Sequence, residues 1–141
     1  MRVLVVVLLA TLAKECEAQA ATFEVHGGNR ADCANGLKLD ISDLPASPAT
    51  TSAVFPWPGE SCTLQLTNII YNPISPSEAI GFDWTVTGAC PVEDVEVKAG
   101  PGFRLYRSPT PLGLFSDVLL RTEDDKPISH LDFCPAPDPC G

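Results

Sequence analysis

Positive charge is scarce in this chain. Nine lysines and arginines stand against eighteen acidic residues, for a formal net charge of −9 over 141 residues. A surface of that sign repels phosphate backbones and anionic membranes, so nucleic-acid binding is not expected. Histidine is scarcer still, with only His26 and His130. Two imidazoles, beside cysteines expected to be oxidised, do not make a zinc ligand set. No Gly-x-Ser-x-Gly elbow occurs, so a serine nucleophile lacks its usual setting. Glu123-Asp124-Asp125, with Asp117 nearby, could gather oxygen ligands for calcium. No D-x-D-x-D-G loop with a twelfth-position glutamate accompanies them, and no metal or cofactor is expected. Asn29, Asn35, Asn68 and Asn72 all lack a following x-Ser/Thr, which excludes N-linked glycans. Beyond residue 20 no apolar run approaches the length of a membrane-spanning helix.

The one long apolar run lies at the start. Met1-Arg2 gives a positive beginning, Val3 to Ala13 is apolar apart from Thr11, and Ala18-Gln19-Ala20 is a small-x-small pattern. That layout predicts a secretory signal peptide over residues 1–20. The chain is therefore expected to be secreted and extracellular, where disulfides persist. Cleavage after Ala20 leaves 121 residues, enough for one domain with a hydrophobic core, and five cysteines. Thr11-Leu12-Ala13 also fits the pattern, and cleavage there would retain Cys16 and an even six.

The dominant hydrophobic period is two. Leu37, Leu39 and Ile41 alternate with Lys38 and Asp40; Ile80, Phe82, Trp84 and Val86 alternate with small or polar residues. Val95 and Val97 alternate with Asp94, Glu96 and Lys98, and Phe103 and Leu105 with Arg104 and Tyr106. Each predicts a strand with one buried and one wet face. Gly100-Pro101-Gly102 between the last two predicts a hairpin over 95–106. Shorter strands are expected at 22–26, 63–70, 117–122 and 128–133, and long loops at 45–58 and 135–141. Fourteen prolines and the lack of an amphipathic window argue against helices. The expected fold is all-β: a disulfide-braced antiparallel sandwich, Ig-like or jelly-roll-like, over 21–134, with a Pro-rich tail at 135–141. A small β-barrel is the alternative.

Five cysteines and two disulfides allow fifteen arrangements. The favoured one joins Cys33 to Cys134 and Cys62 to Cys90, leaving Cys140, in its stiff proline-rich tail, unpaired or intermolecular.

The second half of the chain carries a recognisable series: Phe82-Asp83-Trp84, Val95-Glu96-Val97-Lys98-Ala99-Gly100, Tyr106, Ser116-Asp117, then Ile128-Ser129-His130 leading to Phe133-Cys134. It resembles a module of secreted and surface-displayed, mostly microbial proteins with the pattern F-D-W, V-x-V-K-G-G, S-D-T-G-L, I-S-H-x-x-F-C. Ala99, Val118-Leu119 and Pro135 depart from that pattern. The resemblance implies an extracellular β domain used for display or binding.

Two residue sets carry candidate chemistry. His130 and Asp132 lie two apart on a predicted strand and so share a face, where they could act as a general base and its orienting acid. The preferred reading is a structural histidine that ties the strand to a loop. Phe55-Pro56-Trp57-Pro58 sets a tryptophan in a loop. An exposed Trp57 would contact a sugar ring or protein partner, and a buried one would close the core. The candidate binding residues are Trp57 and, in the acidic turn, Asp124 and Asp125. The expected function is a non-catalytic extracellular binding or structural module with a protein or carbohydrate ligand. A small lipid or sterol carrier with a cavity between its sheets is the alternative, and a secreted enzyme or enzyme inhibitor comes third.

Overall fold

A computed structural model describes residues 20–137. The chain forms nine strands: β1 (Thr22–Gly27), β2 (Leu37–Asp40), β3 (Ala53–Pro56), β4 (Thr63–Tyr71), β5 (Ala79–Thr87), β6 (Val92–Ala99), β7 (Gly102–Arg107), β8 (Ser116–Arg121) and β9 (Ile128–Pro135). The only helical elements among the described residues are two three-residue 3-10 turns, Ile41–Asp43 and Glu123–Asp125. The strands build a five-stranded sheet, in the order β1-β7-β6-β9-β2, and a four-stranded sheet, β3-β4-β5-β8. Every pairing is antiparallel. The disulfide-braced β-sandwich is thus what the chain adopts.

The period-two pattern explains the layering. Phe82, Trp84 and Val86 of β5 face Val95 and Val97 of β6 and Leu131 and Phe133 of β9 in one buried cluster. Phe133 is the centre of it, with ring centroids 6.3 Å from Phe82 and 5.8 Å, edge-on, from Trp84. Such tilted aromatic contacts are favoured over flat stacking. The 95–106 segment is a hairpin, β6 pairing with β7 from Asp94↔Arg107 to Ala99↔Gly102.

Three expectations of extent need correction. The loop expected over 45–58 contains β3, a four-residue edge strand whose intermediate and exposed positions give little hydrophobic signal. The tail expected from residue 135 starts later: β9 includes Pro135, and Ala136 is buried, its N–H donating to Pro91 O at 2.9 Å. Residues 1–19 of the expected signal peptide (1–20), and Cys140, lie outside the described residues.

Both cystines join the residues favoured from sequence. Cys62–Cys90 links the start of β4 to the turn after β5, with Cα atoms 6.2 Å apart. Cys33–Cys134 links the β1–β2 connection to β9, with Cα atoms 5.6 Å apart. No helix among the described residues is long and apolar enough to cross a membrane. Two disulfides are the bonds that oxidising surroundings sustain.

Candidate functional site

β1 and β2 are consecutive in sequence yet occupy opposite edges of the five-stranded sheet. The connection between them, residues 28–36, therefore crosses the sheet's outer face as a strap. Lys98 of β6 donates to Gly28 O at 3.0 Å. Arg30 reaches Asp94 Oδ1 at 2.8 Å and lies 3.3 Å from Glu96 Oε2. Cys33 is bonded to Cys134 of β9, and its N–H donates to Asp132 Oδ2 at 3.2 Å. Gly36 closes the strap at a point where a Cβ would lie 2.9 Å from Phe133 O, so only glycine fits without a shift.

The strap corrects the reading of β6. Alternation put Asp94, Glu96 and Lys98 on a wet face; Glu96 is 1% exposed and Lys98 8%. A buried carboxylate is tolerable only when paired, and Glu96 has two partners, Arg30 and His130, the latter at 2.8 Å. Burial works against the charge of Arg30, but the Asp94 hydrogen bond and the neighbouring carboxylates outweigh it and raise its pKa. Burial raises the pKa of Asp132, against the opposing Cys33 N–H and Arg30.

His130 and Asp132 do share a face, but the histidine bonds Glu96, on the neighbouring strand, and not Asp132. The histidine ties β9 to β6 and not to a loop, within an ion-pair network beneath the strap, and the alternative pairing of His130 with Asp132 as base and orienting acid is not formed. Among the described residues, one group of potential metal ligands converges: Cys33, Asp132 and Cys134. Both of its sulfurs are spent in the disulfide.

Trp57 is 2% exposed and its indole N–H donates to Asn35 O at 3.0 Å, gripping the end of the strap. Its ring belongs to the core cluster, so the exposed-tryptophan contact is corrected to a closing one. Asp124 and Asp125 are exposed in a turn where both adopt left-handed φ values, 52° and 53°, which aspartate tolerates better than most residues. Asp125 is held by Arg121 at 2.8 Å. Asp117 sits buried at the opposite end of β8, so the acids do not converge.

A hollow of about 260 Å³, which nothing in the hydrophobic pattern announces, lies at one end of the sandwich. Leu44 and Pro45 after β2, Glu78 and Ala79 at the start of β5, and Pro127 and Ile128 at the start of β9 wall it, and Ile41, 60% exposed, lies at its lip. Beneath it, between the sheets, is a void of only about 10 Å³ that shares Leu44, Ala79 and Ile128 with it and ends against Phe82 and Leu131. Leu44 is therefore the floor separating an open apolar pocket from a filled core. A third hollow, of about 160 Å³, lies beside Trp57 and Pro135. His130, Glu96, Asp132, Asp124 and Asp125 line none of these three.

Comparison with protein-family models, curated proteins and solved structures finds no match to the chain.

Proposed function

We propose that the chain is a secreted, non-catalytic binding module whose site is the end pocket above Leu44. The observation that carries this reading is a mostly apolar hollow of about 260 Å³ with a single acidic side chain, Glu78, among its walls. Concave apolar sites with a few polar groups are where small ligands bind. The leader pattern and the disulfides support secretion, and the resemblance to surface-displayed modules supports display or binding over catalysis. His130 is hydrogen-bonded to a buried carboxylate under the strap and lines none of the three hollows described, which favours a non-catalytic reading.

Size sets the ligand. At the roughly 30 Å³ that a water-sized group occupies in a liquid, the pocket holds about nine such groups. Burying nine methylenes gains about 7 kcal/mol before costs, and association takes at least about 4, so a bare alkyl chain binds only at millimolar levels. A medium-length chain or ring carrying a cationic head near Glu78 gains more, and the net charge of −9 favours the same sign. Calorimetric titration with decyltrimethylammonium and with decyl sulfate, both kept below micelle formation, tests this. The cation is expected to bind at least tenfold more tightly than the anion. Ala46→Trp, which fills the pocket mouth from an exposed position, should abolish that binding, and Glu78→Gln should narrow the preference to what the remaining net charge gives. Binding unchanged in Ala46→Trp would remove the site from the end pocket.

A further inference from the structure

Four strands end the two sheets: β1 and β2 in one, β3 and β8 in the other. Edge strands invite pairing with another chain unless they are short, charged with lysine, broken by proline or bulged. β2 has four residues and carries Lys38. β3 has four residues and ends in Pro56. β8 is bulged, with Leu119 at φ 60°. β1 has none of these protections: six residues, no proline, no lysine, no bulge. It also exposes Phe23 and Val25, at 51% and 53%. β8, whose Asp117 lies close to the Ala21 backbone, adds exposed Val118 and Leu119 to the same flank.

We infer that β1 is the interface through which two copies of this chain pair, antiparallel about a two-fold axis through Val25. The register follows from charge. In a two-fold antiparallel pair, opposed residues must point to the same face, so the axis passes through one residue of the strand. An axis through Glu24 sets two carboxylates against each other. An axis through Val25 sets Glu24 of each copy against His26 of the other and brings the two Val25 side chains into contact, with Phe23 of each copy opposite the small Gly27. The pairing leaves the end pocket open, since β1 contributes nothing to it, so failure of this inference would not touch the proposed ligand site.

Sedimentation equilibrium and cross-linking test it with the secreted product. A dimer dissociating in the tens of micromolar is expected, and Val25→Lys should raise that constant at least tenfold while leaving the near-ultraviolet circular dichroism unchanged. Opposed residues on antiparallel strands have Cα atoms about 4.5–5.5 Å apart, within reach of a disulfide. Val25→Cys should therefore give a covalent dimer under air oxidation beyond the native chain's baseline. Phe23→Cys should not, because its copies stand about 13 Å apart in this register. A monomer at millimolar concentration, self-association unchanged in Val25→Lys, or cross-linking through Phe23→Cys and not Val25→Cys would each overturn the inference.

Discussion

Arg30→Met is the sharpest test of the buried network under the strap. The substitution keeps an unbranched apolar stem, two atoms shorter than arginine, and removes the cation above Glu96 and Asp94. Breaking a buried ion pair by deleting one partner costs about 3–5 kcal/mol, most of it the burial of the charge left behind. Arg30 keeps 25% of its side chain in water, which places the expected loss at the low end, about 3 kcal/mol. For a domain of this size that is a fall of about 12 °C in melting temperature. Glu96→Gln, made in the Arg30→Met background, removes the stranded carboxylate while leaving His130 an amide partner. It should recover at least about 1 kcal/mol, giving non-additive losses in a double-mutant cycle. Guanidinium denaturation followed by tryptophan fluorescence measures both. A loss below about 1 kcal/mol for Arg30→Met, or additive losses for the pair, would show that the carboxylates are solvated and the strap is no cover.

Three further outcomes are expected. Removing Cys33–Cys134, which spans 101 residues, should cost about 4.7 kcal/mol, and removing Cys62–Cys90, spanning 28, about 3.6, on chain entropy alone; denaturation midpoints in the reverse order would refute the entropic account. Trp57→Ala should cost about 3–5 kcal/mol as a core truncation and leave ligand affinity of the folded protein intact; lost binding at an unchanged melting temperature would return Trp57 to the site. Burial raises the pKa of Asp117, against hydrogen bonds from Val118 and Ala21. The folded chain thus holds that proton more tightly than the unfolded one, and stability falls as pH rises through the window above the ordinary carboxylate range. The melting temperature of Asp117→Asn, whose amide oxygen keeps the bond from the Val118 N–H, should gain on the native chain as pH rises from 4 to 7; a difference that is flat or shrinks with pH would count against it.

The sandwich was legible because Phe82, Trp84, Val95, Val97 and Phe133 sit in strands with one fully apolar face, and alternation reports that directly. Glu96 and Lys98 were misread for the same reason: alternation tells which side of a sheet a residue faces, not whether something covers that side. A signal was available. Cys134 lies on the polar side of its strand, so a bond from it to Cys33 requires the segment carrying Cys33 to lie over that side. Arg30 then follows as the cation that such a segment must bring. β3 stayed hidden because an edge strand of four residues with Pro56 at its end has almost no period to detect. The end pocket was not legible at all, since Leu44, Ala79, Pro127 and Ile128 come from three distant connections that only the closed topology brings together.

The crossing of residues 28–36 also dictates the order in which the molecule can be completed as the chain is made. The amino-terminal strands are made first, yet β1 must await β7 and β2 must await β9, the last of the nine strands to emerge. Cys62 and Cys90 are separated by only 28 residues, whereas Cys33 has no native partner until Cys134, 101 residues later, is made. Non-local pairing of this kind slows maturation and exposes the nascent chain to mispairing. The yield of correctly oxidised product is thus expected to depend on a disulfide isomerase far more than the stability of the finished domain would suggest.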